Sequence, residues 1–449
     1  MITVALAGLG KMGLSHLSII RPHPLVDLVG VCDPGAPFLG VLAARTDVAT
    51  FTDYERMLEE TTPDAVVIAT PSFLHADMVR AALTRGIHVF CEKPLFLDTR
   101  DGAELTALAA QRGLVTQVGY HNRFVGTFAE AKRLLEIGAI GTVTNALAEA
   151  YGPVVTKPSK GGWRDQRAAG GGCLYDYAAH PVDLLTWYLG PVARASGSRL
   201  DSIFSAEVDD TVSSTLEFGS GATAQLSVNW SDESQRKMTT GVTLWGTAGR
   251  IKVDRQEIQV FLKPGAVVPQ GYTPGWNVRY TTELMPAPWF YVRGEEYSHQ
   301  IDAFVRRVAE AVGAVGAERA LDAPAAGLQG VNTFASASVT DEALAMILAD
   351  SRGETVAQAA ARPAVRPLAL AGRPSRLRTL KQALIRAVLT APRSRTRTRP
   401  TTPSGAAPAT PAAAPAPTAM PSATTTTPSA PTAMPSATTT ATTTPGGTR

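Results

Sequence analysis

The chain has 449 residues, 45% of them apolar and 18% charged, enough to bury hydrophobic cores and to exclude a wholly disordered protein. Its net charge of +3 conceals a division: all 39 acidic residues lie at or before Glu354, so residues 1–354 carry −9 and residues 355–449 carry +12. An acidic body argues against nucleic-acid binding by that body, and no stretch reaches the roughly eighteen apolar residues of a membrane span.

The first ten residues, MITVALAGLG, read as a strand entering a glycine loop and not as a cleavable leader. Cys32, Cys91 and Cys173 form no CxxC pair, the pattern of reduced thiols in a cytoplasm. Short apolar runs follow at Ile2–Ala7, Leu25–Cys32, Asp64–Ala69, Ile87–Cys91 and Leu114–Val118. Segments such as Phe73–Thr84 and Arg100–Gln111 lie between them with apolar residues at helical spacing. Apolar strands separated by helices predict a doubly wound parallel sheet, a dinucleotide-binding Rossmann domain over residues 1–122. Within it Gly8-Leu9-Gly10-Lys11-Met12-Gly13 is a GxGxxG between strand and helix, with Asp33 twenty positions beyond Gly13 at the end of the next strand. That context makes Gly8, Gly10, Lys11, Met12 and Gly13 the cradle for a dinucleotide pyrophosphate and Asp33 the partner of the adenosine ribose hydroxyls. A carboxylate there repels a 2′-phosphate, and Pro34-Gly35-Ala36 offers no arginine to bind one, so NAD is expected over NADP.

Cys91-Glu92-Lys93-Pro94 closes a predicted strand, on the edge where open parallel sheets bind ligands. Glu92 and Lys93 there either face the cofactor and substrate or form an ordinary surface ion pair. Further on, helical patterns at Phe124–Ile137 and Tyr177–Tyr188 flank the run Gly170-Gly171-Gly172-Cys173-Leu174-Tyr175-Asp176-Tyr177-Ala178-Ala179-His180. Asp176 and His180 are four apart and share a helix face, which would let the carboxylate orient the imidazole. Strand patterns at Thr142–Ala150, Thr211–Phe218, Ala222–Trp230, Gly241–Trp245 and Glu257–Leu262, joined by short turns, predict an α+β domain on a largely antiparallel sheet. Helices at Tyr297–Val312 and Pro324–Leu348 would complete that domain over 123–354.

Residues 355–390 form a basic linker, with Leu377, Leu380, Leu384 and Val388 on one helical stripe. Contact with an anionic membrane surface is the lesser reading, because the stripe is short and Lys381 interrupts its edge. Residues 391–449 are almost entirely Pro, Thr, Ala, Ser and Arg, a composition expected to stay disordered.

Together these motifs resemble the Gfo/Idh/MocA oxidoreductases, the glucose–fructose oxidoreductase and inositol dehydrogenase type. The resemblance spans roughly residues 1–350: GLGKMG, TPSFLH at 70–75, CEKP at 91–94, the glycine run to His180, and Ser298–Val305. It implies that Lys93, Asp176 and His180 are catalytic, that Thr70, Pro71, His75 and Glu92 face the cofactor, and that the Lys93–Pro94 bond is cis. It also implies that Arg123, Trp163 and Arg164 line a substrate cleft, that no metal is needed, and that the protein is a homo-oligomer. The implied activity is hydride transfer between NAD and a secondary alcohol of a sugar, cyclitol or nucleotide-sugar. An NAD-assisted glycosidase on the same fold and a non-catalytic nucleotide-binding module are the alternatives. The family pattern does not explain the extension beyond about residue 355.

Overall fold

The structure, a computed structural model, describes residues 1–35, 38–155, 163–288, 290–291, 294–314, 330–355 and 357–358. The basic linker beyond 358, the Pro/Thr/Ala-rich segment and residues 324–329 of the last predicted helix lie outside the described residues. The chain opens with β1 (Ile2–Ala7), α1 (Lys11–Ile20), β2 (Val26–Cys32), α2 (Phe38–Arg45), β3 (Ala49–Phe51), α3 (Tyr54–Thr61) and β4 (Ala65–Ile68). It continues through α4 (His75–Thr84), β5 (His88–Cys91), α5 (Thr99–Gln111), β6 (Thr116–Val118) and α6 (Gly126–Glu136).

The six strands form one parallel sheet in the order β3-β2-β1-β4-β5-β6. The order reverses between β1 and β4, and a crevice beyond the carboxyl ends of strands at such a point is where ligands bind. Both faces of β1 are covered. Ile2, Val4 and Leu6 pack under α1 on one side, while Ala5 and Ala7 face the opposite core with Val79, Leu83 and Leu105. That explains why this strand reads as an apolar run without alternation. Strand β3 carries no such signature: it has three residues at the sheet edge, none of them buried.

The second half contains β7 (Val143–Tyr151), α7 (Ala179–Leu189), β8 (Val192–Asp201), β9 (Thr211–Phe218), β10 (Thr223–Asn229) and β11 (Gly241–Gly246). After these come β12 (Gly249–Asp254), β13 (Glu257–Leu262), β14 (Gly275–Tyr280), α8 (Thr281–Leu284), α9 (Glu295–Ala311) and α10 (Phe334–Ser351). Eight strands form a sheet in the order β14-β13-β12-β11-β7-β10-β9-β8, antiparallel except for the β7–β10 pair. Strict alternation in β9 (Val212, Ser214, Leu216 and Phe218 buried) is the mark of a sheet with one covered face. Strands β8, β12 and β14 were not anticipated from the pattern; β14 exposes Trp276, Val278 and Tyr280 and buries none of its six residues.

Helix α9 departs from the neighbours that chain order suggests. Although it follows the second sheet, its Ile301, Phe304, Val305 and Val308 pack with Ile2, Leu6 and Phe90 of the first sheet and Ile20 of α1. Among the described residues no helix is long and apolar enough to cross a membrane, and all three cysteines are free and buried.

Candidate active site

The glycine loop sits at the reversal point. Gly8 adopts φ +93°, and a Cβ there would lie 2.5 Å from the Ala69 carbonyl oxygen at the end of β4. At Gly13 a Cβ would stand 1.8 Å from the Gly8 carbonyl oxygen, so helix and turn meet only because both residues are glycine. Gly10, in contrast, leaves open space where a Cβ would stand, and as the residue before α1 it has no side chain to cap the helix itself. By comparison α3, α5 and α10 are capped by Asp53, Asp98 and Thr333. A glycine turn leading straight into a helix N-terminus, with room for close approach at Gly10, is what a pyrophosphate requires, so the residues fit NAD. Lys11 and Met12 occupy the first two helical positions.

Asp33 closes this half of the site from β2. Its Oδ2 accepts the Leu9 N–H and its Oδ1 the Gly35 N–H, each at 2.8 Å. A carboxylate has about four lone-pair sites, so both oxygens retain acceptor capacity for ribose hydroxyls. Removal of this charge should therefore relax discrimination against a 2′-phosphate. For Asp33→Ala, the ratio of NADP to NAD dissociation constants is expected to fall about tenfold or more, as measured by fluorescence titration.

The second half of the site forms where β5 ends. The Lys93–Pro94 bond is cis. Glu92 and Lys93 do not form the surface ion pair that their adjacency allows. Lys93 turns its ammonium to Asp176, donating to the backbone oxygen at 2.6 Å and to Oδ1 at 3.1 Å. Glu92 is buried and pairs with His16 of α1. Asp176 also accepts Arg164 Nε on Oδ2 at 3.0 Å. Burial pushes the Asp176 carboxyl up, but Lys93 and Arg164 outweigh it and hold the group below the ordinary carboxylate range.

Asp176 therefore orients Lys93 and Arg164, and the expected contact with His180 is not formed. The reason is local: Leu174–Ala178 is a π-helical turn preceding α7, and ion-pair partners from two other segments occupy the carboxylate. This turn is tied down by Asp209, whose carboxylate accepts the Leu174 N–H at 2.7 Å. One turn on, His180 is 4% exposed. Its Nδ1 is sealed without a partner, which leaves Nε2 as the nitrogen able to meet a ligand. Burial, reinforced by the charges of Lys93 and Arg255, holds the imidazole well below its ordinary 6.5, so it is neutral at pH 7.

That depression has a sign in stability. The unfolded chain protonates His180 as pH falls through about 6.5, whereas the native chain resists until far lower. Stability is thus lost on acidification through this window, by about 1.4 kcal/mol per pH unit for one proton. Urea unfolding between about pH 5 and 6.5 should show wild type losing stability more steeply than His180→Gln by about that slope. Equal slopes would contradict the assignment.

The remaining predicted positions divide. Thr70 and Pro71 lie half-buried just after β4. His75 is fully buried and braces two loops, with Nδ1 2.9 Å from the Pro94 oxygen and Nε2 3.2 Å from the Thr70 oxygen. Trp163 and Arg164 stand together beside Asp176, the guanidinium 5.3 Å from the indole centroid and half exposed. Arg123 is not brought to this cleft: it is buried in a two-pronged pair with Asp183, at 2.9 and 2.7 Å, with Asn332 and Thr340 on the same carboxylate.

Sequence reasoning missed His121 and Arg255. The His121 ring lies 5.0 Å from that of His180 and stacks on Tyr297 of α9 at 4.6 Å. Arg255, in the turn after β12, reaches His121 Nε2 at 3.3 Å and pairs with Glu296. His121 was findable as a neighbour of Arg123, but nothing around Arg255 in the chain marks it. Among the described residues no group of His, Cys, Asp and Glu is arranged to hold a metal ion.

Comparison with known proteins bears on this arrangement. The Gfo/Idh/MocA family model, described as an oxidoreductase family with an NAD-binding Rossmann fold, matches residues 2–120, and the C-terminal domain model of the same family matches 128–252. The dTDP-3,4-didehydro-2,6-dideoxy-alpha-D-glucose 3-reductase of Streptomyces antibioticus is 32% identical over 253 residues, covering 55% of this chain and 75% of that protein. The scyllo-inositol 2-dehydrogenase (NAD(+)) of Bacillus subtilis (strain 168) is 30% identical over 237 residues, 49% of this chain and 65% of that one. Among solved structures, GenD2 from gentamicin A biosynthesis in complex with NAD is similar at a TM-score of 0.60 and 26% identity, over 78% of this chain and 94% of that chain.

Proposed function

The chain belongs to the Gfo/Idh/MocA oxidoreductases, and from that premise we propose that it transfers a hydride between NAD and a secondary alcohol of a sugar, cyclitol or nucleotide-sugar. The observation that carries this reading is the convergence of Lys93, Asp176 and a neutral His180 at the edge of the nucleotide-binding sheet. The relatives named as acting on a dTDP-sugar and on scyllo-inositol favour a carbohydrate-like alcohol.

In the oxidative direction, NAD supplies the acceptor for the hydride that leaves the carbinol carbon. His180 takes the hydroxyl proton on Nε2, as a buried imidazole uncharged at neutral pH can. Lys93 has two partners on Asp176, its side-chain Oδ1 and its backbone oxygen, leaving one N–H free in a three-donor ammonium. That N–H donates to the reacting oxygen and stabilises the negative charge it develops. Asp176 fixes the ammonium's direction. Arg164, half exposed beside the same carboxylate, meets the substrate's distal hydroxyls or phosphate. Reduction runs the same proton path in reverse.

The test is a panel of free sugars, inositols and nucleotide-sugars incubated with NAD and followed by NADH absorbance. At least one member is expected to produce NADH with wild type. A protein that binds NAD yet oxidises none of the panel and reduces none of the matching ketones would overturn the reading.

A further inference from the structure

His16 lies on α1 with no exposed surface, and its Nε2 meets Glu92 Oε1 at 2.7 Å across 76 positions of the chain. The ring stands edge-on to Phe90 of β5, and Nδ1 has no hydrogen-bond partner. The other carboxylate oxygen, Oε2, accepts the backbone N–H of Lys93 at 3.3 Å. A single buried carboxylate therefore touches both the helix that follows the glycine loop and the residue whose ammonium is aimed by Asp176.

The space for this carboxylate is specific. A Cβ at Gly119, just beyond β6, would lie 2.6 Å from Oε2, so only glycine leaves Glu92 where it is. Burial pushes the Glu92 carboxyl up, yet the His16 contact and the Lys93 charge more than offset this and keep it ionised. Relative to apolar side chains of the same volume, a buried polar contact to a carboxylate adds little net stability. What it adds is direction, because a hydrogen-bonded charge tolerates little displacement.

We infer that His16 and Glu92 are positioning residues for Lys93, fixing the lysine's backbone to the nucleotide-binding helix so that one contact aligns the cofactor cradle with the substrate-facing ammonium. The inference rests on the reaction proposed above, and neither residue is assigned contact with substrate.

Two variants of His16 separate positioning from packing: His16→Leu keeps bulk and removes the donor, while His16→Gln keeps a donor. Three quantities are measured: the NAD dissociation constant by fluorescence titration, kcat per NAD-binding site on a polyol that wild type oxidises, and acetic anhydride labelling of Lys93. Labelling is read by mass spectrometry relative to the exposed Lys252 and Lys263. For His16→Leu, kcat is expected to fall about tenfold or more and relative Lys93 labelling to rise about threefold, with NAD affinity little changed, since a misplacement of about 1 Å costs that much in rate. His16→Gln should restore most of both. Gly119→Ala, which displaces the carboxylate without touching His16, should reproduce the leucine variant and serves if that variant does not fold. Unchanged kcat and labelling in folded His16→Leu, or equal losses in the leucine and glutamine variants, would overturn the inference. A wild type that binds NAD but oxidises no polyol counts against the proposed reaction alone, because Lys93 labelling still decides the role of the pair.

Discussion

Lys93→Met is expected to lower kcat by about 10²–10³-fold, roughly 3–4 kcal/mol of transition-state stabilisation, while NAD still binds. Methionine matches the length of lysine but donates nothing. The reacting oxygen then loses its charged donor, and Asp176 keeps Arg164 as its one remaining charged partner among the pairs observed. Lys93→Arg should fail nearly as badly, because a planar fork cannot donate to Asp176 in two directions and to a third oxygen with the geometry of an ammonium. Initial rates by NADH absorbance, with cofactor affinity measured on the same preparations, check both variants. Turnover near wild type in either would remove the lysine from its assigned role.

Asp183→Ala should cost about 3–5 kcal/mol of folding stability, far more than Arg123→Leu, although each removes one half of the same buried pair. Deleting Asp183 strands a guanidinium that is 3% exposed and cannot discharge. Deleting Arg123 strands a carboxyl that burial already pushes above its ordinary range and that keeps Asn332 and Thr340 as donors. The carboxyl escapes by taking a proton; the guanidinium has no such exit. Urea unfolding of the two variants decides the order, and equal costs would show that the pair is not governed by this asymmetry.

The parallel sheet was legible in the chain because its signals are local. An apolar run, a glycine turn and a helical period each occupy a few consecutive residues, and Asp33 sits at a distance set by one βαβ unit. Lys93, Asp176 and His180 were found through motifs of the same kind. Which residue pairs with which was not, since the contacts that orient them are not local in the chain. Arg164 reaches Asp176 over 12 residues, Glu92 reaches His16 over 76, and Arg123 reaches Asp183 over 60. Arg123 shows the difference well: a charge beside a cleft motif reads as a ligand contact until the fold supplies an internal carboxylate. The spacing of Asp176 and His180 misled for a different reason, because a helical period says nothing about a π turn or about competing partners. Strand β14 escaped notice because its apolar residues Trp276, Val278 and Tyr280 face outward and none of its residues is buried, although it pairs with β13, the strand just before it.

The return of α9 to the first sheet sets a schedule for the protein's synthesis. The face of β1 formed by Ile2, Val4 and Leu6 leaves the ribosome nearly three hundred residues ahead of Ile301, Phe304 and Val308, which cover part of it in the finished molecule. Domains on a growing chain generally fold from the N-terminus onward. Here the nucleotide-binding half must wait, part of its apolar face bare, until the second sheet has been made and α9 has come back across it. Apolar surface left bare in that interval favours self-association, and cutting the chain between the two sheets would leave that part of the face without its cover.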